Sequence, residues 1–256
     1  MTPNVKHESK AAYKASHTPE QIASRLEEGP GSVYLKDFVY GAVDGAVTTF
    51  AIVAGVAGAG MAAGVIIVLG IANLVADGFS MAISNYLGTK AENQLREQTR
   101  SRELDEIVKF PEGEREEIRQ IYMGKGFEGE LLDQVVDVIT ADHDRWVDTM
   151  LQEEHGMALH DHDAPQAGLA TFVAFVLVGL VPLLPYLTNW LFPGLLSYTF
   201  VWSSVMTAIA FYWVGAAKAR FINQSRHAGG LETVLIGGAA AAMAYFIGAA
   251  LKSFVE

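Results

Sequence analysis

Residues 38–85 read FVYGAVDGAVTTFAIVAGVAGAGMAAGVIIVLGIANLVADGFSMAISN, and this apolar block decides the fold. A membrane-spanning helix needs about 20 consecutive, mostly apolar residues. The block is therefore long enough for two spans, and the small residues Gly58, Ala59 and Gly60 mark the break between them. This stretch predicts an integral membrane protein.

Two further apolar blocks follow later in the chain. One runs from about Ala167 to Phe221, with a break around Asn189 to Gly194, and the other runs from about Leu231 to Phe254. By the same length criterion they contain two spans and one span. The sequence therefore predicts an all-α integral membrane protein with five transmembrane helices.

The charge of the chain lies between the second and third spans. Of its 256 residues 51% are hydrophobic, yet the formal net charge is −11, and Lys90–Asp163 contains 20 acidic and 9 basic residues. Apolar residues at helical spacing and glycines at turns predict helices there. We expect a cytosolic N-terminal arm at 1–33, spans 1–2 at 34–88, an inserted acidic helical metal-binding domain at 89–165 and spans 3–5 at 166–256.

The distribution of Lys and Arg predicts the orientation. The N-terminal arm holds five, the acidic segment nine and the turn after the fourth span three, whereas the other side has only Lys252. Because positive residues favour the cytosolic side, the N-terminus and the acidic domain are predicted to be cytosolic. The polar N-terminus without an apolar core argues against a cleaved signal peptide. We expect a bacterial inner membrane, or a vacuolar membrane if the source is eukaryotic.

Several classes of function are excluded by what the sequence lacks. There is no cysteine, so thiolate metal sites and Cys nucleophiles are excluded. No nucleotide-binding loop, Ser-His-Asp order or zinc-hydrolase motif is present, and we expect no enzyme and no prosthetic group. The acidic domain would repel the phosphates of a nucleic acid.

Ionisable and polar residues inside the first two spans are candidates for an ion pathway. A charged side chain at the bilayer centre costs about 2.5 kcal/mol or more, so it marks function by default. One polar face follows Asp44 and Thr48, and another follows Asn73, Asp77 and Met81 at i, i+4, i+8 spacing. Such oxygen and thioether groups suit a partly dehydrated divalent cation, although they could also hydrogen-bond neighbouring helices.

Acidic residues in the soluble segment are candidate metal ligands. Two i, i+3 pairs each place two carboxylates on one helical face, and a third group ends the last helix. The predicted ligands are Glu103, Glu106, Glu114, Glu117, Met150, Glu153 and Glu154. Hard oxygens suit Mg, Ca, Mn or ferrous iron, and the thioether would favour a transition metal. Each pair taken alone is also a common solvated helix face. His160 and His162 form either a metal scavenger or a polar linker.

These motifs together resemble the vacuolar iron transporter family. YGAVDGAVTTFAIVAGVAGA in the first span, NLVADGFSMAISNYLGTKAE in the second and LETVLIGGAAAAMAYFIGAAL in the fifth are similar to its hallmark helices, over about residues 34–256. The resemblance implies a homodimer, a cation path near the dimer interface, proton antiport and a three-helix cytosolic domain that collects metal. It assigns membrane roles to Asp44 and Met81 and cytosolic roles to the glutamate pairs, Met150 and Glu154.

Two positions depart from the family pattern. Where plant-type members carry a glutamate in the second span, this chain has Asn73, and a carboxylate recurs at Asp77, about 6 Å further along the helix. Next to Met150, a position that can be acidic in plant-type members is Leu151. One cytosolic ligand is therefore missing unless Glu153 or His155 substitutes.

The sequence thus favours a transporter that exports ferrous iron, and manganese as a second substrate, from the cytosol in exchange for protons. The alternative is a membrane-anchored metal sensor or store that does not transport. A di-iron oxidase is a third hypothesis, but such sites use Glu-x-x-His pairs and this chain has Glu-x-x-Glu. The predicted partners are the lipid bilayer, divalent metal ions, protons and a second copy of the chain.

Overall fold

Every regular element that the computed structural model describes, in residues 14–28, 34–221 and 224–254, is a helix. In chain order the helices are α1 (Pro19–Glu28), α2 (Leu35–Gly58), α3 (Ala63–Lys109), α4 (Pro111–Gly124), α5 (Gly129–Thr140), α6 (His143–Glu153), α7 (Ala164–Gly179), α8 (Leu184–Leu191), α9 (Thr199–Phe221) and α10 (Arg226–Leu251). Short 3-10 turns lie at Val181–Leu183 and Lys252–Phe254. The predicted all-α class is confirmed.

Among the described residues, five helical segments are long and apolar enough to cross a membrane, as predicted. They are Leu35–Gly58, Ala63–Lys109, Ala164–Leu191, Thr199–Arg220 and Arg226–Phe254. The predicted break after the first span is also confirmed, because α2 ends at Gly58 and Gly60 adopts a φ of 72°. Only a residue without a Cβ adopts that conformation freely, which lets the chain reverse before α3 begins.

The third apolar segment contains an interruption that the sequence analysis did not predict. α7 stops at Gly179, and Pro182 and Pro185 lie in the 3-10 turn and the first turn of α8. Proline removes a backbone donor and crowds the preceding turn, which leaves carbonyl groups without helical partners. The buried Ser203 hydroxyl donates to the Pro182 carbonyl at 2.6 Å, and so satisfies one of them from α9.

The chain divides into two compact units. We call the described residues up to Tyr86 and from Pro165 onward the apolar unit, and Leu87–Ala164 the acidic unit. In the apolar unit α2 packs against α9 and α10. Glycines in α2 also let α7 approach that helix closely. A Cβ on Gly41 would overlap the carbonyl oxygen of Thr171, and a Cβ on Gly45 would overlap that of Phe175. Small residues at such contacts are typical of helix packing in lipid.

The acidic unit has its own apolar core. The end of α3 and the helices α4, α5 and α6 enclose Ile107, Ile118, Leu132, Val136, Ile139, Trp146, Val147, Met150 and Leu151. The helices predicted for Gly129–Ala141 and Asp142–Glu154 are confirmed to within a residue at each end. Gly124 ends α4, and Gly126 and Gly129 have positive φ, so the predicted glycine turns are confirmed.

Ion pairs tie the helices of the acidic unit together at its surface. Arg100 on α3 contacts Asp144 at 2.6 Å and Asp148 at 2.5 Å on α6, and Arg119 on α4 contacts Asp133 on α5 at 2.6 Å. Many of the acidic residues therefore already have a basic partner.

The run Thr18-Pro19-Glu20 predicts a helix start in the N-terminal arm, and α1 begins there. Pro19 occupies its first position, and the Thr18 hydroxyl accepts a hydrogen bond from the Gln21 amide at 3.4 Å. The predicted end of this helix at Gly29, Pro30 and Gly31 lies outside the described residues.

We expect Gly45→Ala to destabilise the apolar unit by about 1–3 kcal/mol, because the added Cβ must push α2 away from the Phe175 carbonyl. Gly238→Ala in α10 is the matched control, since nothing lies within 4 Å of its added Cβ. Thermal denaturation of the purified protein in detergent measures both variants. Equal melting temperatures for the two variants would contradict the close helix contact.

Candidate functional site

The predicted polar residues of α2 and α3 are in direct contact within the apolar unit. The Asn73 amide donates to the Thr48 hydroxyl at 3.2 Å and lies 3.5 Å from that of Thr49. Thr48 in turn donates to the Asp44 backbone carbonyl at 2.9 Å. The amide nitrogen of Asn73 is therefore engaged by hydroxyls, and this contact joins the polar faces of the two helices.

Asp77 lies one helical turn after Asn73 on α3, and Asp44 lies one turn before Thr48 on α2. The hydrogen bond between Asn73 and Thr48 therefore joins the two helix faces that carry these carboxylates. Both aspartates are only partly buried. Carboxylates on adjoining polar faces inside an apolar unit favour a bound cation or proton. Met81, the remaining predicted pathway residue, packs against the apolar core instead.

A second polar group in the apolar unit was only partly anticipated. The Asn85 amide donates to the Asp37 carboxylate at 2.9 Å, to the Thr171 hydroxyl at 2.8 Å and to the Ala167 carbonyl at 3.1 Å. Asn85 continues the polar face of α3, but Asp37 was not singled out by the sequence analysis. Its position two helical turns before Asp44 is the signal that could have found it.

In the acidic unit, three of the predicted glutamates converge. One carboxylate oxygen from each of Glu103, Glu106 and Glu114 lies within 4.8 Å of the others. Glu103 and Glu106 share a face at the end of α3, and Glu114 lies in the first turn of α4, which restarts at Pro111. Glu103 is only 1% exposed and Glu114 only 6%.

Burying such carboxylates is unfavourable unless something compensates their charge. One oxygen of Glu114, Oε2, has no hydrogen-bond partner among the described residues. Burial, as the largest cause, together with the charges of Glu117, Glu103 and Glu106 raises the pKa of Glu114 from 4.5 to about 7. An oxygen cluster with an unpaired buried carboxylate is suited to bind a divalent cation.

Glu117, the remaining helix-pair glutamate, belongs to the same electrostatic group. Its pKa is raised by burial first, and next by the charge of Glu154 at the end of α6. Residues from α3, α4 and the end of α6 therefore all contribute to one negative field.

Arg102 lies in contact with two glutamates of this group. Its guanidinium lies 3.2 Å from Glu103 and 3.8 Å from Glu106, while its side chain remains 57% exposed. This arginine partly neutralises the cluster in the absence of an ion.

A second convergent group includes His155, which the sequence analysis named only as a possible substitute for a missing ligand. Potential ligand atoms of Glu103, Glu154 and His155 lie within 4.8 Å of one another. The His155 Nε2 atom is 2.9 Å from Glu103 Oε1 and 3.7 Å from Glu154 Oε2. A histidine at a helix end beside a predicted ligand is the signal that the sequence offered.

Two other predicted ligands lie elsewhere. Glu153 forms an ion pair with Lys125 at the end of α4. Met150 is fully buried in the apolar core of the acidic unit, next to Leu151. Glu153 belongs to neither of the convergent groups described above.

The segment with His160 and His162 is attached to α3. Asn93 donates to the His162 carbonyl at 2.8 Å, and Arg96 pairs with Asp161. A cavity of about 290 Å³ lies between this segment and α3. Three potential ligand atoms do not converge there in the described part of the chain.

We expect the metal-free protein to lose stability as the pH rises from about 5 to about 8. The folded state holds a proton on Glu114 more tightly than the unfolded chain does. The resulting contribution to the free energy of unfolding is complete below pH 4.5 and is lost as the pH rises past about 7. Melting temperatures in chelator across that range should therefore fall by several degrees. Metal affinity should rise over the same range, because binding must displace this proton.

Glu114→Gln should remove most of this pH dependence. Glu112→Gln is the matched control, because Glu112 lies on the same helix but is exposed. If Glu112→Gln flattened the profile as much as Glu114→Gln, the effect would not come from the buried carboxylate.

Similarity to known proteins extends over most of the chain. The sequence pattern of the VIT family matches residues 35–249. The chain is 31% identical over 220 residues to vacuolar iron transporter 1 of Eucalyptus grandis, covering 86% of this chain and 87% of that protein. It is 31% identical to the vacuolar iron transporter of Plasmodium falciparum (87% and 84% covered) and 30% identical to vacuolar iron transporter 1 of Oryza sativa (95% and 93% covered). The chain belongs to the VIT family.

Proposed function

We propose that this protein is a multi-pass membrane transporter that moves ferrous iron out of the cytosol, with manganese as a second substrate. The main support is that two adjacent apolar helices, joined by the hydrogen bond between Asn73 and Thr48, each carry a partly buried aspartate. These aspartates are Asp44 and Asp77. A protein that only bound metal at its surface would have no use for charge inside its spans. The names of its relatives, which refer to iron transport, support the substrate.

The acidic unit has the complementary role of collecting ions. Its net negative charge raises the local concentration of cations through its field, and the cluster of Glu103, Glu106 and Glu114 offers oxygen ligands. We place this unit and the N-terminus in the cytosol. The N-terminal arm, the acidic segment and the turn after the fourth span together hold 17 of the 18 Lys and Arg residues, and positive residues favour the cytosolic side.

Coupling to protons is part of the proposal. Two nearby carboxylates in an apolar environment exchange a divalent cation for protons without leaving uncompensated charge. We further propose that the working form is a homodimer and that it has no prosthetic group and no enzymatic activity. The membrane is a bacterial inner membrane, or a vacuolar membrane in a eukaryotic source.

We expect Asp44→Asn to reduce iron flux to the background rate of protein-free liposomes, because the amide cannot offer a negative ligand to the ion. The measurement uses sealed proteoliposomes with an internal metal indicator and an internal pH dye, and compares Fe²⁺, Mn²⁺ and Zn²⁺. Wild-type protein should give saturable iron uptake with opposing proton movement.

Glu232→Gln is the matched control, because this carboxylate also belongs to the apolar unit but is half exposed, 3.8 Å from Lys218. It should transport at the wild-type rate. Normal flux in Asp44→Asn would refute the pathway. Metal binding without any flux in the wild type would favour the sensor or storage function instead.

A further inference from the structure

The end of α6 brings an imidazole to the acidic cluster. The Met150 carbonyl accepts hydrogen bonds from the backbone amides of both Glu154 and His155, at 3.0 and 3.2 Å. Gly156 follows with a φ of 64°, a conformation that glycine adopts without strain. This local structure fixes the backbone of His155 beside Glu103, and the His155 side chain is only 18% exposed.

The ring nitrogen that faces the carboxylates is Nε2. It lies 2.9 Å from Glu103, a residue that also belongs to the all-oxygen group with Glu106 and Glu114. Glu103 is therefore common to both convergent groups. A cation bound to its Oε1 atom would lie within reach of the imidazole.

The cluster has a second feature that points to a ligand. Glu114 Oε2 is buried and has no hydrogen-bond partner in the part of the chain that the structure describes, although the neighbouring Glu103 has both Arg102 and His155. An unsatisfied buried carboxylate oxygen costs free energy that a bound cation would recover.

We propose that His155 is a nitrogen ligand of the ion that the acidic unit binds, and that it favours transition-metal dications over Mg²⁺ and Ca²⁺. Imidazole suits iron, zinc, nickel and copper, whereas a purely carboxylate site also accepts the abundant hard cations. This inference rests on the metal-collecting role proposed above and adds a residue that determines the specificity of that site.

A second role is chemically available to His155, and the test must distinguish it from the role of a metal ligand. A protonated His155 would be a counter-cation for Glu103, and a metal ion would have to compete with it. As a ligand, His155 strengthens metal binding. As a counter-cation, it weakens metal binding, so the two roles change the affinity in opposite directions.

The experiment titrates the purified full-length protein in detergent with Co²⁺ and, separately, with Mg²⁺. His155→Leu should weaken Co²⁺ binding roughly tenfold and leave Mg²⁺ binding within about twofold. His155→Gln keeps a hydrogen-bond donor for Glu103 but has no imidazole, so it should bind Co²⁺ as weakly as His155→Leu does. His143→Leu is the control, because His143 is an exposed histidine of the same unit.

Direct evidence for the bond comes from protein labelled with ¹⁵N-histidine and loaded with ¹¹³Cd²⁺. A one-bond coupling between cadmium and a ring nitrogen should be present in the wild type and in His143→Leu, and absent in His155→Leu. Unchanged or tighter Co²⁺ binding in His155→Leu, or full recovery in His155→Gln, would overturn the proposal.

These readouts do not depend on transport. If the wild type bound Co²⁺ through His155 but moved no iron across liposomes, the proposed function would fail and the assignment of His155 would stand. If iron flux depended on Asp44 but His155→Leu bound Co²⁺ normally, only the assignment of His155 would fail.

Discussion

Buried carboxylate charge is the constraint on which both units of this protein depend. An ionised carboxylate removed from water is stable only with a partner, and the free-energy penalty grows when a second one lies nearby. The buried Glu103 and Glu114 are subject to this constraint in the acidic unit, and the partly buried Asp44 and Asp77 are subject to it to a lesser degree in the apolar unit. The surrounding structure holds these groups together rather than apart. Glycines allow α2 and α7 to touch, and surface ion pairs fasten α3 to α6.

The spans and most helix ends could be predicted because they depend on local sequence. Apolar length identifies a span, and a glycine such as Gly60 identifies a turn because its backbone conformation excludes other residues. The interruption before α8 could not be predicted in this way. Pro182 lies in a continuous apolar run, and the group that satisfies its carbonyl is Ser203, 21 residues later. Only the packing of α9 shows that this break is tolerated.

The candidate site could likewise be predicted only where it depends on local sequence. Helical spacing is enough to place Glu103 with Glu106 and Glu114 with Glu117 on common faces, but it does not show which carboxylates meet. That requires the packing of α3, α4 and α6. Spacing also cannot separate Glu153 from Glu154 at a helix end. The structure pairs Glu153 with Lys125, while Glu154 and His155 approach Glu103. Met150 was predicted as a ligand from its chemistry, and that role stays a prediction because its side chain lies in the apolar core.

The position of Arg102 has a consequence for how long an ion stays bound. A cation that binds between Glu103 and Glu106 has to displace a guanidinium that already lies 3.2 and 3.8 Å from them. Binding is then an exchange of one cation for another, and the tethered arginine is always available to return. A competitor built into the chain lowers the affinity and shortens the residence time of the ion. A site that hands ions onward needs both properties, whereas a storage site would be better without the arginine.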